Sequence, residues 1–305
     1  MAIDTHIRLD FDKSVIDMVV FDIVGKQSGP TMLVTGGVDG DEYAGMEACH
    51  RLRKAYAGRN FSGRLIIIPV VNVPGFTNGT SINPIDGNYP KLVGLGHARG
   101  TSSERLMHWV VSTYARHADA WIDLHGGSLT EELVPFLWVY RTGVKKIDQR
   151  NTTLCAVSPL PTVLVEKAGW FAKAGLLARK GCWYVVVEAG QLGRRDAKSI
   201  SHHVRVVQSI VGLLGMDPVK LKYQKFPVTP LSRVQYATAP FPSLWTPMVH
   251  AGDKVIKNQE LGVLCGADGT IIQSLLSKER GVVLWNMISM SVKPGCILAA
   301  VGFRK

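Results

Sequence analysis

No stretch of this chain approaches the ~18 consecutive apolar residues that a helix needs to cross a bilayer, so transporters and channels built on spanning helices are excluded. Cysteine is scarce. Cys49, Cys155, Cys182, Cys265 and Cys296 are odd in number and widely scattered, which excludes a disulfide framework and suits reduced, mostly buried thiols. Residues 1–12 are polar and acidic and lack the apolar core of a secretory signal, so the expected compartment is the cytoplasm. Asn78-Gly79-Thr80 and Asn151-Thr152-Thr153 match the glycosylation pattern and then read only as loop sequence. Low-complexity tracts are absent, as is the aromatic–basic interleaving of proteins that bind single strands.

What remains is a globular composition, 46% hydrophobic and 19% charged over 305 residues, long enough for a large core and more than one domain. The formal charge of +11 is unusual. Its basic residues are dispersed, so nucleic acid and membrane surfaces are poorer partners than a small anionic substrate drawn to a solvated basic face.

Residues 17–24 and 31–36 read as strands, and 42–57 as a helix with apolar positions at Tyr43, Met46, Cys49 and Leu52. Residues 64–72 form a nearly continuous β-branched run, the pattern of a central strand covered on both faces. The long segment 74–100, rich in glycine, proline and asparagine, reads as a functional loop. Thr101 and Glu104 have capping-box spacing for a helix running to about residue 117. Strands at 121–125, 135–140, 162–166 and 182–188 then alternate with helices at 170–180 and 197–214. The fold class this predicts is α/β, with a mixed, mostly parallel sheet and helices on both faces. After residue 215 short apolar runs alternate with turn signals, which predicts a small C-terminal all-β, barrel-like domain. The domains are therefore expected at 1–222 and 223–305.

Three motifs stand where strand-like runs end: residues 37–42 (Gly-Val-Asp-Gly-Asp-Glu), 123–127 (Asp-Leu-His-Gly-Gly) and 188–190 (Glu-Ala-Gly). In an open α/β sheet the crevice beyond the carboxyl ends of the strands is where ligands bind. Asp39, Glu42 and His125 are competent ligands for one divalent ion, and Glu188 would be a spare base beside it. Asp123 shares a strand face with His125 and could orient the imidazole. Blander readings stand beside these. Asp39 and Asp41 could merely cap the following helix, with Asp41 the better cap. Glu188 could pair with Arg194 or Arg195, and Asp123 could be a buried structural carboxylate. His97, His202, His203 and His250 have no ligand spacing and read as surface or loop residues.

At these motifs the chain resembles the succinylglutamate desuccinylase/aspartoacylase family, a branch of the zinc carboxypeptidase superfamily. That family opens its site with Gly-x-His-Gly-x-Glu, adds a histidine from an Asp-Leu-His segment and places its catalytic glutamate at the end of a later strand. The helix start at 100–106 and the C-terminal module are also similar. The resemblance implies a zinc carboxypeptidase-like fold, one Zn2+ per chain on Asp39, Glu42 and His125, and Glu188 as general base. The substrate it implies is a small anionic N-acyl amino acid or a relative, and a homo-oligomer stays open. Two departures matter. Asp39 replaces the first histidine, so Mn2+ or another hard divalent ion could compete. The arginines that polarise the carbonyl and grip the substrate carboxylate are missing, with Ser81 and Asn88 near their places. Lys91, Arg99, Arg179, Arg194 and Arg195 are the available substitutes. A metal-dependent amide hydrolase is the function implied; a degenerate relative that binds without hydrolysis is the alternative.

Overall fold

A computed structural model describes residues 2–11, 14–218 and 230–304. In chain order the strands are β1 (Ala2–Phe11), β2 (Ser14–Val24), β3 (Gln27–Gly36), β4 (Ser62–Ile68), β5 (Ala120–His125), β6 (Glu131–Leu133), β7 (Phe136–Arg141), β8 (Thr162–Lys167) and β9 (Trp183–Glu188), then β10 (Arg233–Thr238), β11 (Ser243–Pro247), β12 (Lys254–Val255), β13 (Glu260–Cys265), β14 (Ile271–Leu276), β15 (Gly281–Met287), β16 (Ser291–Val292) and β17 (Ile297–Phe303). The helices are α1 (Tyr43–Tyr56), α2 (Val73–Asn78), α3 (Ser102–Thr113), α4 (Lys145–Val157), α5 (Lys173–Arg179) and α6 (Ala197–Leu213).

An eight-stranded sheet in the order β1-β2-β4-β3-β5-β9-β7-β8 forms the centre. Strands β4, β3, β5 and β9 are parallel, β1 and β2 form an antiparallel edge, and β7 runs antiparallel to β9. Side-chain alternation sends each central strand into two cores. Met32, Val34, Leu65, Ile67, Ile122, Leu124, Val185 and Val187 pack with α1, α4 and α6 on one face. Leu33, Ile66, Ile68, Trp121, Tyr184 and Val186 pack with α3 and α5 on the other. The mostly parallel sheet with helices on both faces is thus the observed architecture, and among the described residues no helix is long and apolar enough to cross a membrane.

Several expectations need correction. Asn151-Thr152-Thr153 lies inside α4, not in a loop. Asn151 is buried there, donating to the Tyr140 carbonyl and accepting from Trp183 Nε1. Asn78 ends α2, a short helix inside the expected loop, whose N-cap Asn72 accepts from the Gly75 amide. The polar N-terminus forms β1, an exposed edge strand held by its backbone ladder to β2. The capping box of Thr101 and Glu104 is present.

The C-terminal strands form two sheets of their own, β10-β17-β15-β12 and β14-β13-β11-β16. The expected boundary between residues 222 and 223 lies outside the described residues. A strand from the other part of the chain joins the first of these sheets, with β6 pairing antiparallel to β15 through Leu133–Trp285, Glu132–Asn286 and Glu131–Met287. Apolar packing reinforces this seam. Phe136 stacks on Trp285 at 6.2 Å, within a cluster containing Leu133, Leu164, Leu231 and Leu284.

Candidate metal and catalytic site

Past the end of β3 the chain turns through residues 37–42 into α1. The Glu42 amide donates to the Asp39 carbonyl, closing the turn. Gly40 is required there, because a Cβ would lie 2.2 Å from Gly75 and Phe76 backbone atoms of α2. Glu42 occupies the N-cap position but makes no side-chain cap, so its carboxylate is free to point elsewhere. Asp41 does not cap the helix either. It accepts from Ser81 Oγ at 2.6 Å and tethers the 79–100 segment to the turn.

Asp39, Glu42 and His125 are buried, and their ligand atoms all lie within 4.8 Å of one another. His125 Nδ1 is 3.0 Å from Glu42 Oε2 and 3.6 Å from Asp39 Oδ2. Glu42 Oε2 also accepts from the Gly126 amide at 3.0 Å. Burial and the neighbouring Asp39 charge push the Glu42 pKa well up. Burial also acts to raise that of Asp39, but Lys91 and His125 prevail and hold it below the usual carboxylate range.

The imidazole is oriented from behind. His125 Nε2 is 3.3 Å from Asp123 Oδ2, which also accepts from the Tyr184 hydroxyl at 2.9 Å. Asp123 Oδ1 accepts from Thr35 Oγ1 at 2.6 Å, and that hydroxyl accepts from Trp121 Nε1 at 2.7 Å. Burial acts to raise the Asp123 pKa, but His125, the Lys173 charge and the Thr35 bond overcome it and hold it at about 2, so the carboxylate stays charged behind the ring. Burial acts to lower the His125 pKa, but Asp123 and Glu42 prevail and push it well up, so without a cation the ring carries protons on both nitrogens. Giving up the Nδ1 proton would leave Nε2–H on Asp123 and turn Nδ1 into a ligand facing the two carboxylates. Asp39 Oδ1 is buried without a hydrogen-bond partner. Two carboxylates, an aimed imidazole nitrogen and an orphaned buried oxygen together fit a divalent cation, and these residues could hold one.

Glu188 ends β9 directly beside His125, its partner in the parallel ladder. Neither Arg194 nor Arg195 pairs with it; both are exposed, and among the described residues nothing hydrogen-bonds to its carboxyl. Burial raises its pKa to about 7, with Asp39 and Glu131 adding to the rise and His125 and Lys91 opposing it. A carboxyl titrating near neutrality, half-buried and unpartnered, is suited to moving a proton. Gly126 and Gly127 bring the following loop close. A Cβ on Gly126 would lie 2.5 Å from the Ala189 carbonyl oxygen, and the Gly127 amide donates to the Gly190 carbonyl at 2.9 Å.

The other residues singled out in the sequence divide sharply. Ser81 spends its hydroxyl on Asp41. Asn88 bonds to Thr101 and Asp86. Arg179 stacks on Trp170, its guanidinium carbon 4.1 Å from the ring centre, and donates to the Trp170 carbonyl. Arg99 and Arg194 are exposed and joined to the site by no hydrogen bond or ion pair among the described residues. Lys91 alone of the basic substitutes enters the site, as the ion-pair partner of Asp39.

Sequence reasoning missed three residues. Glu131 approaches from β6, its pKa raised by burial and lowered by Lys91. Lys173 rests its ammonium over Trp121 and Tyr184, 5.2 and 5.4 Å from the ring centres, with no ion pair among the described residues. His203, read as a surface residue, is fully buried in α6 with Nε2 2.9 Å from the Ala189 carbonyl oxygen. Only its place on the apolar face of α6, with Ile200, Val206, Val207 and Ile210, could have signalled this.

Comparison with known proteins follows the same geometry. Residues 28–214 match the family model described as "Succinylglutamate desuccinylase/Aspartoacylase catalytic domain". An N-alpha-acetyl-L-2,4-diaminobutyric acid deacetylase of Halomonas elongata is 33% identical over 119 residues, covering 39% of this chain and 35% of that protein. The match thus spans about a third of the curated relative's length. A succinylglutamate desuccinylase/aspartoacylase from Rhodobacter sphaeroides superposes with a TM-score of 0.86 at 22% identity, covering 100% of this chain and 95% of the other. The product-bound ectoine utilization protein EutE (DoeB) from Ruegeria pomeroyi gives 0.86 at 23% identity, with 99% and 95% coverage. At such identities the superpositions establish the fold; with 28–214 matched to the catalytic-domain model, the chain belongs to the succinylglutamate desuccinylase/aspartoacylase family.

Proposed function

We propose that this protein is a metal-dependent deacylase that hydrolyses the amide bond of a small anionic N-acyl amino acid. The observation that carries the reading is the convergence of Asp39, Glu42 and His125 within 4.8 Å, with Glu188 as the ladder neighbour of His125. Zn2+ suits the imidazole in the set, and the two carboxylates leave room for Mn2+. A divalent ion on these residues would supply Lewis acidity toward water and toward the scissile carbonyl. Glu188, titrating near 7, takes a proton from the attacking water and returns it to the departing amine. Asp123 keeps the His125 ring in one orientation through the cycle.

The substrate's anionic group needs a cation that the fold has not already paired. Lys173 is the candidate: it makes no ion pair among the described residues, although its charge also bears on Asp123. It lies on the same sheet face as Asp123, His125 and Glu188, because Trp121 and Tyr184 beneath it alternate in step with those residues. The names of the relatives, a deacetylase and a desuccinylase/aspartoacylase, support an N-acyl amino acid as the class to try first. The five free cysteines fit a reducing, cytoplasmic setting.

The test is elemental analysis of protein purified without added metal, followed by assay of N-acyl amino acids with Zn2+ and then Mn2+. Bound stoichiometric metal with release of free amine supports the reading. Protein that takes up no divalent ion and hydrolyses none of them is instead a binding relative that has lost the chemistry.

A further inference from the structure

Two carboxylates buried side by side cannot both stay charged without a cation nearby. Asp39 and Glu42 are in that position, and Asp39 Oδ1 has no hydrogen-bond donor. Beside the His125 ring, which faces both carboxylates, the further cation supplied is Lys91. It projects from the helical turn Pro90–Leu92 in the 79–100 segment, and its ammonium ion-pairs with Asp39 Oδ2. Its burial contrasts with that of its partner, for the Lys91 side chain is 38% exposed and that of Asp39 is 0%. The lysine therefore reaches inward from the surface and can withdraw without disturbing the core, whereas Asp39 cannot. Its charge also faces Glu42 and Glu131.

We propose that Lys91 is the resident counter-cation of the Asp39/Glu42/His125 set and lowers its affinity for a divalent ion by answering the second carboxylate's charge. The inference rests on the proposed metal site and adds a specific role within it. Asp39 and Glu42 contribute −2 and His125 is neutral when it ligates, so Lys91 leaves the set at −1. An incoming ion must share Asp39 with the ammonium or displace it. The orphaned Asp39 Oδ1 makes sharing feasible, with Lys91 retaining Oδ2. In either arrangement a unit positive charge remains a few ångströms from the ion and opposes its binding.

The test is titration of the full chain with Zn2+ and with Mn2+ alone, in competition with a chromogenic chelator. Lys91→Met should bind at least about tenfold more tightly than wild type, a modest figure for loss of a neighbouring charge after discounting for the solvent around the exposed stem. Lys91→Arg keeps the charge and should stay within threefold of wild type. In an Asp39→His background the second carboxylate is gone, so Lys91→Met should lose most of its effect, a non-additivity that a merely structural lysine would not produce. Circular dichroism and thermal melting establish that each variant folds. Affinity in Lys91→Met equal to or weaker than wild type overturns the proposal, as does an equal effect in both backgrounds. Because the readout is binding, a wild type that takes up metal but hydrolyses nothing would defeat the deacylase reading and leave this one standing.

Discussion

Replacing Glu188 with glutamine should stabilise the metal-free protein while disabling its chemistry, and the stabilisation should depend on pH. In the unfolded chain the carboxyl ionises near 4.5; in the fold burial delays this to about 7. Between those values the native state holds a proton that the unfolded state has released, so stability falls as pH rises. Each pKa unit corresponds to about 1.36 kcal/mol, so the full penalty approaches about 3 kcal/mol once both states are ionised. It is mostly absent at pH 5 and nearly complete at pH 8. Glutamine never ionises and escapes it. Urea denaturation in EDTA should therefore show Glu188→Gln gaining about 2–3 kcal/mol over wild type at pH 8 relative to pH 5. The same variant, loaded with metal, should lose about 10²–10⁴ in kcat, the usual contribution of an acid–base group. A stability difference that does not change with pH would refute the reasoning, because a fixed difference reflects shape or hydrogen bonding rather than ionisation.

The remaining predictions address other parts of the site. Asp123→Asn should weaken metal binding by about 10–100-fold in chelator competition, since the ring loses the charged acceptor that fixes its tautomer; unchanged affinity would show that Tyr184 and Thr35 hold Asp123 for structural reasons alone. Lys173→Met should raise KM for an anionic substrate at least about tenfold with little change in kcat, and a fall confined to kcat would remove Lys173 from substrate binding. Ending the chain at residue 230 should strip the cover from Leu133, Phe136 and Leu164 and leave an aggregation-prone protein; a soluble monomer with the parent's melting temperature would contradict it.

How much of this was legible in the sequence depended on the range of the interaction. Residues 64–72 read as a central strand because a nearly continuous β-branched run suits cover on both faces; β4 ends at Ile68 and divides its side chains between the two cores. Asp39, Glu42, His125 and Glu188 were legible as strand-end residues, and the parallel β3, β5 and β9 bring those ends together. Asp41 looked like the cap by residue type, yet its partner is Ser81, 40 positions away. Lys91 was one of several basic residues until the 79–100 segment folded back over the site, and nothing in its neighbours marks it. The helix α4 escaped notice because Asn151, Thr152 and Thr153 are weak helix formers; the buried bonds of Asn151 to Tyr140 and Trp183 compensate. The edge strand β1 is paired along its backbone and largely exposed, so composition had little to report.

The pairing of β6 with β15 has a mechanical meaning. The loop that leaves His125 becomes, within a few residues, a strand of the C-terminal sheet, and Glu132 continues the seam by accepting from His250 Nδ1 at 3.0 Å. The C-terminal sheets therefore cannot swing away as a hinged cover, because the motion would tear a backbone ladder and pull on the Glu131 wall of the site. The 79–100 segment is tied to the site differently, by the side-chain bond from Ser81 to Asp41, and that attachment is no part of a sheet.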